Sequence, residues 1–428
     1  MMTIIKNPEI GEWPNLLARP ALNTLQLATT VQAIMNEVKL NGDKAIAVFT
    51  QKYDGVLLQN TQVTQAEISN AENLITADLK KAIDTAIKNI YAFHHTQNIA
   101  EPIVETMPGV LCWRKSIAIQ NVGLYIPGGT APLFSTLLML AIPAKIAACK
   151  NITICTPPDK NGKLHPAILY IAKVLNLTNI YKVGGVQAIA ALAFGTITIK
   201  KVNKIFGPGN QYVTCAKQLV QQLGIAIDMP AGPSELAIFA DETCVPAFVA
   251  ADVLSQAEHG IDSQILVVAS SNKIATAIND EITHQLKSTD RKELAIEALK
   301  HSKCIVMSDV QKAFDCLNEY APEHLIIASN NAEMLQQYVY NAGSVFLGNY
   351  AAESAGDYAS GTNHTLPTNG NAKAYSGVSL DSFYKKITYQ KISKNGISAL
   401  ADTVINMANA EGLTAHANAI KIRLTHEG

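Results

Sequence analysis

Three apolar runs end in glycine turns: Tyr125-Ile-Pro-Gly128-Gly129, Val183-Gly184-Gly185-Val-Gln187 and Phe206-Gly207-Pro-Gly209-Asn210. Glycine lets backbone N–H groups approach a phosphate, and open α/β sheets bind ligands at the carboxyl ends of their strands. One nucleotide-sized crevice is one reading. Plain tight turns are the other, since none of the three matches the GxGxxG dinucleotide fingerprint. Gln256-Ala-Glu-His259 places an amide and an imidazole three residues apart, on one helix face, where both can point at one ion and Glu258 cannot easily join them. A surface or core histidine fits the same spacing, so metal binding stays open.

Ala321-Pro-Glu-His324-Leu precedes an apolar strand. Proline pushes Ala321 out of the helical region, which sets Glu323 and His324 at a strand entry. Neighbours on a regular strand face opposite sides, so the pair serves one site only where the backbone is irregular or a substrate lies between them. An exposed charged pair is the alternative. Asp357, within Glu353-Ser-Ala-Gly-Asp-Tyr-Ala-Ser-Gly, and His364, within Gly361-Thr-Asn-His-Thr-Leu-Pro367, share a polar stretch, and Glu411-Gly-Leu-Thr-Ala-His416 lies near the C-terminus. Caps and solvated turns account for these equally well by spacing alone.

The elements that must position these residues are legible from periodicity. Residues 24–97 read as helices; in 76–97, Leu79, Ile83, Ile87, Ile90 and Tyr91 recur at three and four residues behind a Thr76 N-cap. From Ile117 short apolar runs alternate with helical stretches: 117–125, 152–156, 180–183, 202–206 and 225–227, then 236–239, 265–269, 304–307, 325–328 and 344–346. That alternation predicts an α/β fold of two tandem Rossmann-like units with parallel-rich sheets, plus a small helical region from the two termini. Residues 350–377 form a long polar segment, a functional loop or a linker. The final helices, 398–409 and 414–424, are too small to fold alone and must pack on this subunit or another.

Composition narrows the function classes. The 428 residues are 48% apolar and 16% charged, with 34 Lys+Arg against 35 Asp+Glu. That balance argues against disorder and against a basic nucleic-acid surface. The longest apolar candidate for a membrane span, Leu137 to Ile142, meets Pro143 and Lys145 at once. Seven cysteines without a CxxC pair, and an N-terminus without a signal-peptide core, predict a reducing cytoplasm. The charge fraction is well below the roughly 25% of an average soluble protein, so apolar surface is hidden in large cores or subunit contacts.

Taken together the motifs are more specific than any one. The stretch from Ile227-Asp-Met-Pro-Ala-Gly-Pro-Ser234-Glu through Ser255-Gln-Ala-Glu-His259 resembles the signature of the histidinol dehydrogenase family. The resemblance runs in order from the Tyr125 turn through Gly207-Pro-Gly-Asn210, Ala321-Pro-Glu-His-Leu, Ser354-Ala-Gly-Asp357, Asn363-His-Thr-Leu-Pro-Thr and Glu411-Gly-Leu-Thr-Ala-His416. It implies oxidation of L-histidinol to L-histidine, the last steps of histidine biosynthesis, through bound histidinal with two NAD and one zinc ion per subunit. Gln256, His259, Asp357 and His416 would be the zinc ligands, a set manganese would also tolerate. His324 would be the general base and Glu323 would activate water. Ser234 and Glu411, with the metal ligands and His324, would hold the substrate; Tyr125, Gln187 and Asn210 would line the NAD site; His364 would support the loop.

The same resemblance implies a homodimer with composite sites, and a division into domains. Residues 23–124 plus 235–377 would form one α/β domain carrying the metal and catalytic residues, and 125–234 the NAD-binding one. Residues 1–22 plus 378–405 would be an accessory domain, and 406–428 a tail completing the partner's site. Rival readings are a related NAD-dependent amino-alcohol or aldehyde dehydrogenase with another substrate, one using a cysteine thiohemiacetal, a metal-dependent hydrolase, and a non-catalytic scaffold stapled by zinc. The cysteine route is disfavoured because the thiols sit in apolar runs, where they tend to be inert.

Overall fold

The computed structural model describes residues 2–19, 24–128, 132–230 and 232–426, apart from the side chains of 24–26. Gly129 of the first glycine turn and Ala231 of the signature stretch lie outside them. The strands are Thr3–Lys6 (β1), Val104–Met107 (β2), Val110–Ala118 (β3), Asn121–Tyr125 (β4), Asn151–Thr156 (β5), Ile180–Lys182 (β6) and Lys204–Phe206 (β7). They continue with Ala226–Ile227 (β8), Glu235–Ala240 (β9), Gln264–Ala269 (β10), Lys303–Val306 (β11), His324–Ala328 (β12), Ser344–Leu347 (β13) and Tyr384–Ile392 (β14).

Two all-parallel sheets carry the fold. One runs β6-β5-β4-β7-β8 and the other β1-β11-β10-β9-β12-β13. Counted within its own unit, each has the order 3-2-1-4-5 of a doubly wound sheet, with β1 added at one edge. Strands β9 and β10 are buried at every position, as a sheet covered on both faces requires. The seven residues 228–234 join the carboxyl end of β8 to the amino end of β9. This short link sets the carboxyl edge of one sheet against the amino edge of the other.

The hydrophobic clusters show what covers each sheet. Val31, Ile34, Met35, Val38 and Ile46 pack with Tyr125, Val183 and Ile205 on one face of the five-stranded sheet, and Ile83, Ala86 and Ile90 join Leu124 and Ile154 on the other. The N-terminal helices thus pack their apolar stripes on both faces of the five-stranded sheet. Likewise β1 pairs with β11, so the first residues are part of the second sheet. The expected run 117–125 splits: Ile117 and Ala118 end β3, antiparallel to β14, while β4 enters the parallel sheet. The polar stretch 350–377 is packed, with Asn363, Thr365, Leu366 and Thr368 buried and a helix at Glu353–Tyr358.

Beyond β14 the chain forms helices Lys394–Ala410 and Thr414–Thr425, which pack chiefly on each other. Met407, Leu413, Ile422 and Leu424 are exposed there. Among the described residues no helix is long and apolar enough to cross a membrane.

Candidate active site

A cavity of about 490 Å³ opens where the two sheet edges meet. One wall comes from the carboxyl ends of β4 and β7, which are neighbours where the strand order reverses: Pro127 follows β4, and Pro208, Gly209 and Asn210 follow β7. Gly207 sits at φ +126° with its absent Cβ pointing 2.0 Å from the Tyr125 carbonyl oxygen, so only glycine fits. Asp228 accepts the Gly207 N–H at 2.7 Å, and Lys217 donates to the Gly207 carbonyl at 2.8 Å while forming an ion pair with Asp228. Both side chains are within 2% of fully buried, so this pair fixes the turn from below. Asn210 accepts N–H groups of Tyr212 and Val213, capping helix Gln211–Gln222 and aiming its N-terminus at the crevice.

The facing wall is built from amino ends: Gly232 to Ser234 before β9, Gly260 to Ser263 before β10, and Glu323 with His324 at the start of β12. Ala321 adopts the left-handed conformation, φ 49° and ψ 67°, as it caps helix Val310–Tyr320. This irregular step lets adjacent Glu323 and His324 turn into one space, with Glu323 Oε2 3.8 Å from His324 Nδ1. The same Glu323 oxygen accepts the Glu235 N–H at 2.9 Å. Burial pushes the Glu323 carboxyl well up, helped by the charges of Glu235 and Asp357, and pulls the His324 imidazole down to about 4. A neutral imidazole at physiological pH is a competent proton acceptor.

Around His324 the side chains are acidic. Its Nε2 lies 3.6 Å from Asp357 Oδ1, and its Nδ1 3.3 Å from Glu353 Oε1. Burial pushes the Glu353 carboxyl well up, reinforced by Asp357, Glu323 and Asp252, and burial raises Asp252 to about 6. His364 Nδ1 faces the Asp357 carbonyl oxygen at 2.9 Å, an atom that can only accept, so that nitrogen carries the proton. Its Nε2 then accepts from Thr136 at 3.1 Å, and the imidazole holds the Asp357 backbone in place.

Gln256, His259 and Asp357 all line this cavity. Gln256 is in the last turn of helix Pro246–Ala257, while His259 lies just past its end. The Gln256 amide is wholly buried, and neither its oxygen nor its nitrogen has a partner. A buried orphan carbonyl beside an imidazole and a carboxylate suits a divalent metal such as zinc. Among the described residues no group of three His, Cys, Asp or Glu side chains is arranged to hold a metal ion by itself.

Of the residues expected from sequence, Asn210, Ser234, Gln256, His259, Glu323, His324 and Asp357 line the cavity, and His364 joins them. Tyr125 and Gln187 are buried and are not among the lining residues, with the Tyr125 hydroxyl accepting the Gly185 N–H at 3.1 Å. Glu411 and His416 are exposed on the terminal helices and do not reach the cavity of their own chain. Sequence reading passed over Ser135, Thr136, Tyr358 and Glu353 as lining residues. Glu353 shares a motif with Asp357, at a spacing of four that puts both on one helix face, and that was the available signal. No cysteine is among the lining residues, and burial raises the thiols of Cys149 and Cys244 to about 11 and of Cys304 and Cys316 to about 12.

The histidinol dehydrogenase family model matches residues 17–424. Histidinol dehydrogenase of Bacteroides thetaiotaomicron is 55% identical over 424 residues, 99% of each chain. The chloroplastic histidinol dehydrogenase of Arabidopsis thaliana is 49% identical over 413 residues, covering 96% of this chain and 88% of that one. The crystal structure of histidinol dehydrogenase from Elizabethkingia anophelis superposes with a TM-score of 0.96 at 52% identity, covering 99% of this chain and 98% of that one. Order of motifs, sheet topology and the acid-and-imidazole cavity agree with these likenesses, and the chain belongs to the histidinol dehydrogenase family.

Proposed function

We propose that this chain is an NAD-dependent oxidoreductase converting L-histidinol to L-histidine through histidinal in two oxidations, as in the final steps of histidine biosynthesis. The observation that carries the reading is the single cavity shared by Ser234, Gln256, His259, Glu323, His324 and Asp357, with the Pro208-Gly209-Asn210 turn as its opposite wall. Gln256, His259 and Asp357, with His416 from a second subunit, would hold zinc. Bound zinc would supply the charge that anchors the substrate's imidazole and amine, and NAD the hydride acceptor.

His324 takes the hydroxyl proton as hydride leaves the carbinol carbon, which yields the aldehyde. Glu323 then removes a proton from water as its oxygen attacks the aldehyde carbon, while His324 returns its proton to the carbonyl oxygen, giving the hydrate and a free imidazole. A buried carboxyl with a raised affinity for protons is the stronger base for this step once ionised. His324 takes the hydrate's hydroxyl proton as the second hydride leaves. Ser234 and Glu411 position the substrate, while Tyr125, Gln187 and Asn210 shape the dinucleotide wall. The dimer, with Glu411 and His416 crossing to the neighbour, is part of this proposal, as is a cytoplasmic setting.

The deciding experiment is an assay of purified protein with L-histidinol, NAD and zinc. About two NADH per histidinol consumed supports the full reading. One would remove the aldehyde step, and none would overturn the proposal.

A further inference from the structure

Buried at 1% exposure, Glu353 has both carboxylate oxygens without a hydrogen-bond partner. A buried carboxyl in that state favours its neutral form unless a donor engages it, so an unengaged one facing a proposed base calls for a reason. Its Oε1 stands 3.3 Å from His324 Nδ1, which also lacks a hydrogen-bond partner. Of the other acceptors near the ring, Glu323 Oε2 is farther away at 3.8 Å and is already occupied by the Glu235 N–H, and the Glu235 backbone carbonyl is the remaining one. The other ring nitrogen, Nε2, points toward Asp357 and the cavity.

We infer that Glu353 is a positioning residue whose carboxylate accepts the Nδ1–H of His324 and thereby holds the imidazole in the tautomer that presents a bare Nε2 to the substrate. The inference rests on His324 acting as the base proposed above. The two neutral imidazole tautomers lie close in energy in water, and only the one with a free Nε2 can take a proton from a hydroxyl in the cavity. Ionised, Glu353 can only accept, so at Nδ1 it selects that form, and the Nδ1–H in turn is the donor that offsets the burial and neighbouring acids raising its proton affinity; the same carboxylate also faces the charge the ring gains when Nε2 is protonated. Glu353 and Asp357, four apart on helix Glu353–Tyr358, address opposite edges of one ring; Asp357, on the Nε2 side, would be drawn to the metal it helps hold, which leaves Glu353 as the carboxylate that fixes the tautomer. A glutamine at 353 can donate as well as accept, and loses the selection while keeping the shape.

The test uses the zinc-loaded full-length enzyme labelled with 15N-histidine, His324 being assigned among the ten histidines by comparison with His324→Asn. Long-range 15N–1H correlation reads the tautomer directly. The expected result is a His324 protonated at Nδ1 in the wild type, and a substantial population protonated at Nε2 in Glu353→Gln. That variant should lose between about 100-fold and 10,000-fold in kcat, with KM for histidinol and calorimetric zinc affinity within about threefold. Glu353→Asp should recover at least about tenfold of the lost kcat. A wild-type His324 protonated at Nε2, a Glu353→Gln kcat within about twofold of wild type, or a large loss of zinc affinity would each overturn the inference. Should Glu353→Gln not fold, the wild-type tautomer alone decides. An enzyme that makes no NADH from histidinol would instead sink the oxidation reading, while the tautomer remains readable.

Discussion

At the scale of single residues, the environment assigns different work to like groups. Glu323 and Glu353 are both buried beside His324, yet only Glu323 has a hydrogen-bond donor, the Glu235 N–H. Glu323→Gln keeps that acceptor and removes the base for water. NADH formed per histidinol should fall from about two toward one, with the first oxidation largely kept and histidinal accumulating in a single-turnover trap. A fall in both oxidations alike would count against the division of labour. A second prediction concerns Asp54, whose Oδ2 is buried without a partner and whose carboxyl burial raises to about 6. A carboxyl with a folded-state pKa above its unfolded value favours folding at low pH, and this is lost as pH rises through the window between about 4 and 6. Asp54→Asn should therefore raise Tm at pH 7.5 by an amount that vanishes near pH 4. Discounted for partial solvent exposure, the gain is on the order of 1 kcal/mol.

Elements position the site by their ends rather than their faces. Two of the three glycine turns behave as open α/β sheets predict, at the carboxyl ends of β4 and β7, while the acid and imidazole groups come from the amino ends of β9, β10 and β12. The buried Lys217–Asp228 pair ties helix Gln211–Gln222 to the start of the link between the two edges, joining Gly207 to the segment that leads to Ser234. Lys217→Met would leave Asp228 charged and unpaired in the interior. A loss of about 3–5 kcal/mol in urea unfolding is expected, together with weaker NAD binding by calorimetry. Unchanged stability would mean that water reaches the carboxylate.

For the whole molecule, the low charge fraction now has locations. Two parallel sheets bury both faces, and the terminal helices leave Met407, Leu413, Ile422 and Leu424 exposed in one chain. Those apolar side chains suit a partner subunit, as does the separation of Glu411 and His416 from their own cavity. If the tail completes the neighbouring site, mixing His416→Asn with His324→Asn chains should regain roughly a quarter of wild-type activity, from hybrid dimers that hold one intact site. Absence of any recovery after subunit exchange, confirmed by mass spectrometry, would place the tail in its own chain's site.

Sequence alone determined the strand and helix alternation, because periods of two and of about 3.6 are local properties of side-chain direction. It also determined the motif set, since Gln256, His259, Glu323, His324 and Asp357 are legible as residue types in order. What it left open is how neighbours Glu323 and His324 reach one space, which depends on the left-handed Ala321 and the pairing of β12 with β9 and β13. The role of Glu353 was hidden for a related reason: a carboxylate in a helix reads as solvated until the packing around it removes the water. The grouping of the N-terminal helices was equally undecided, because an apolar stripe records that it must be covered but not by which sheet. Tertiary structure decided these points because burial, orphaned hydrogen-bonding groups and the meeting of two sheet edges arise from contacts between residues far apart in the chain.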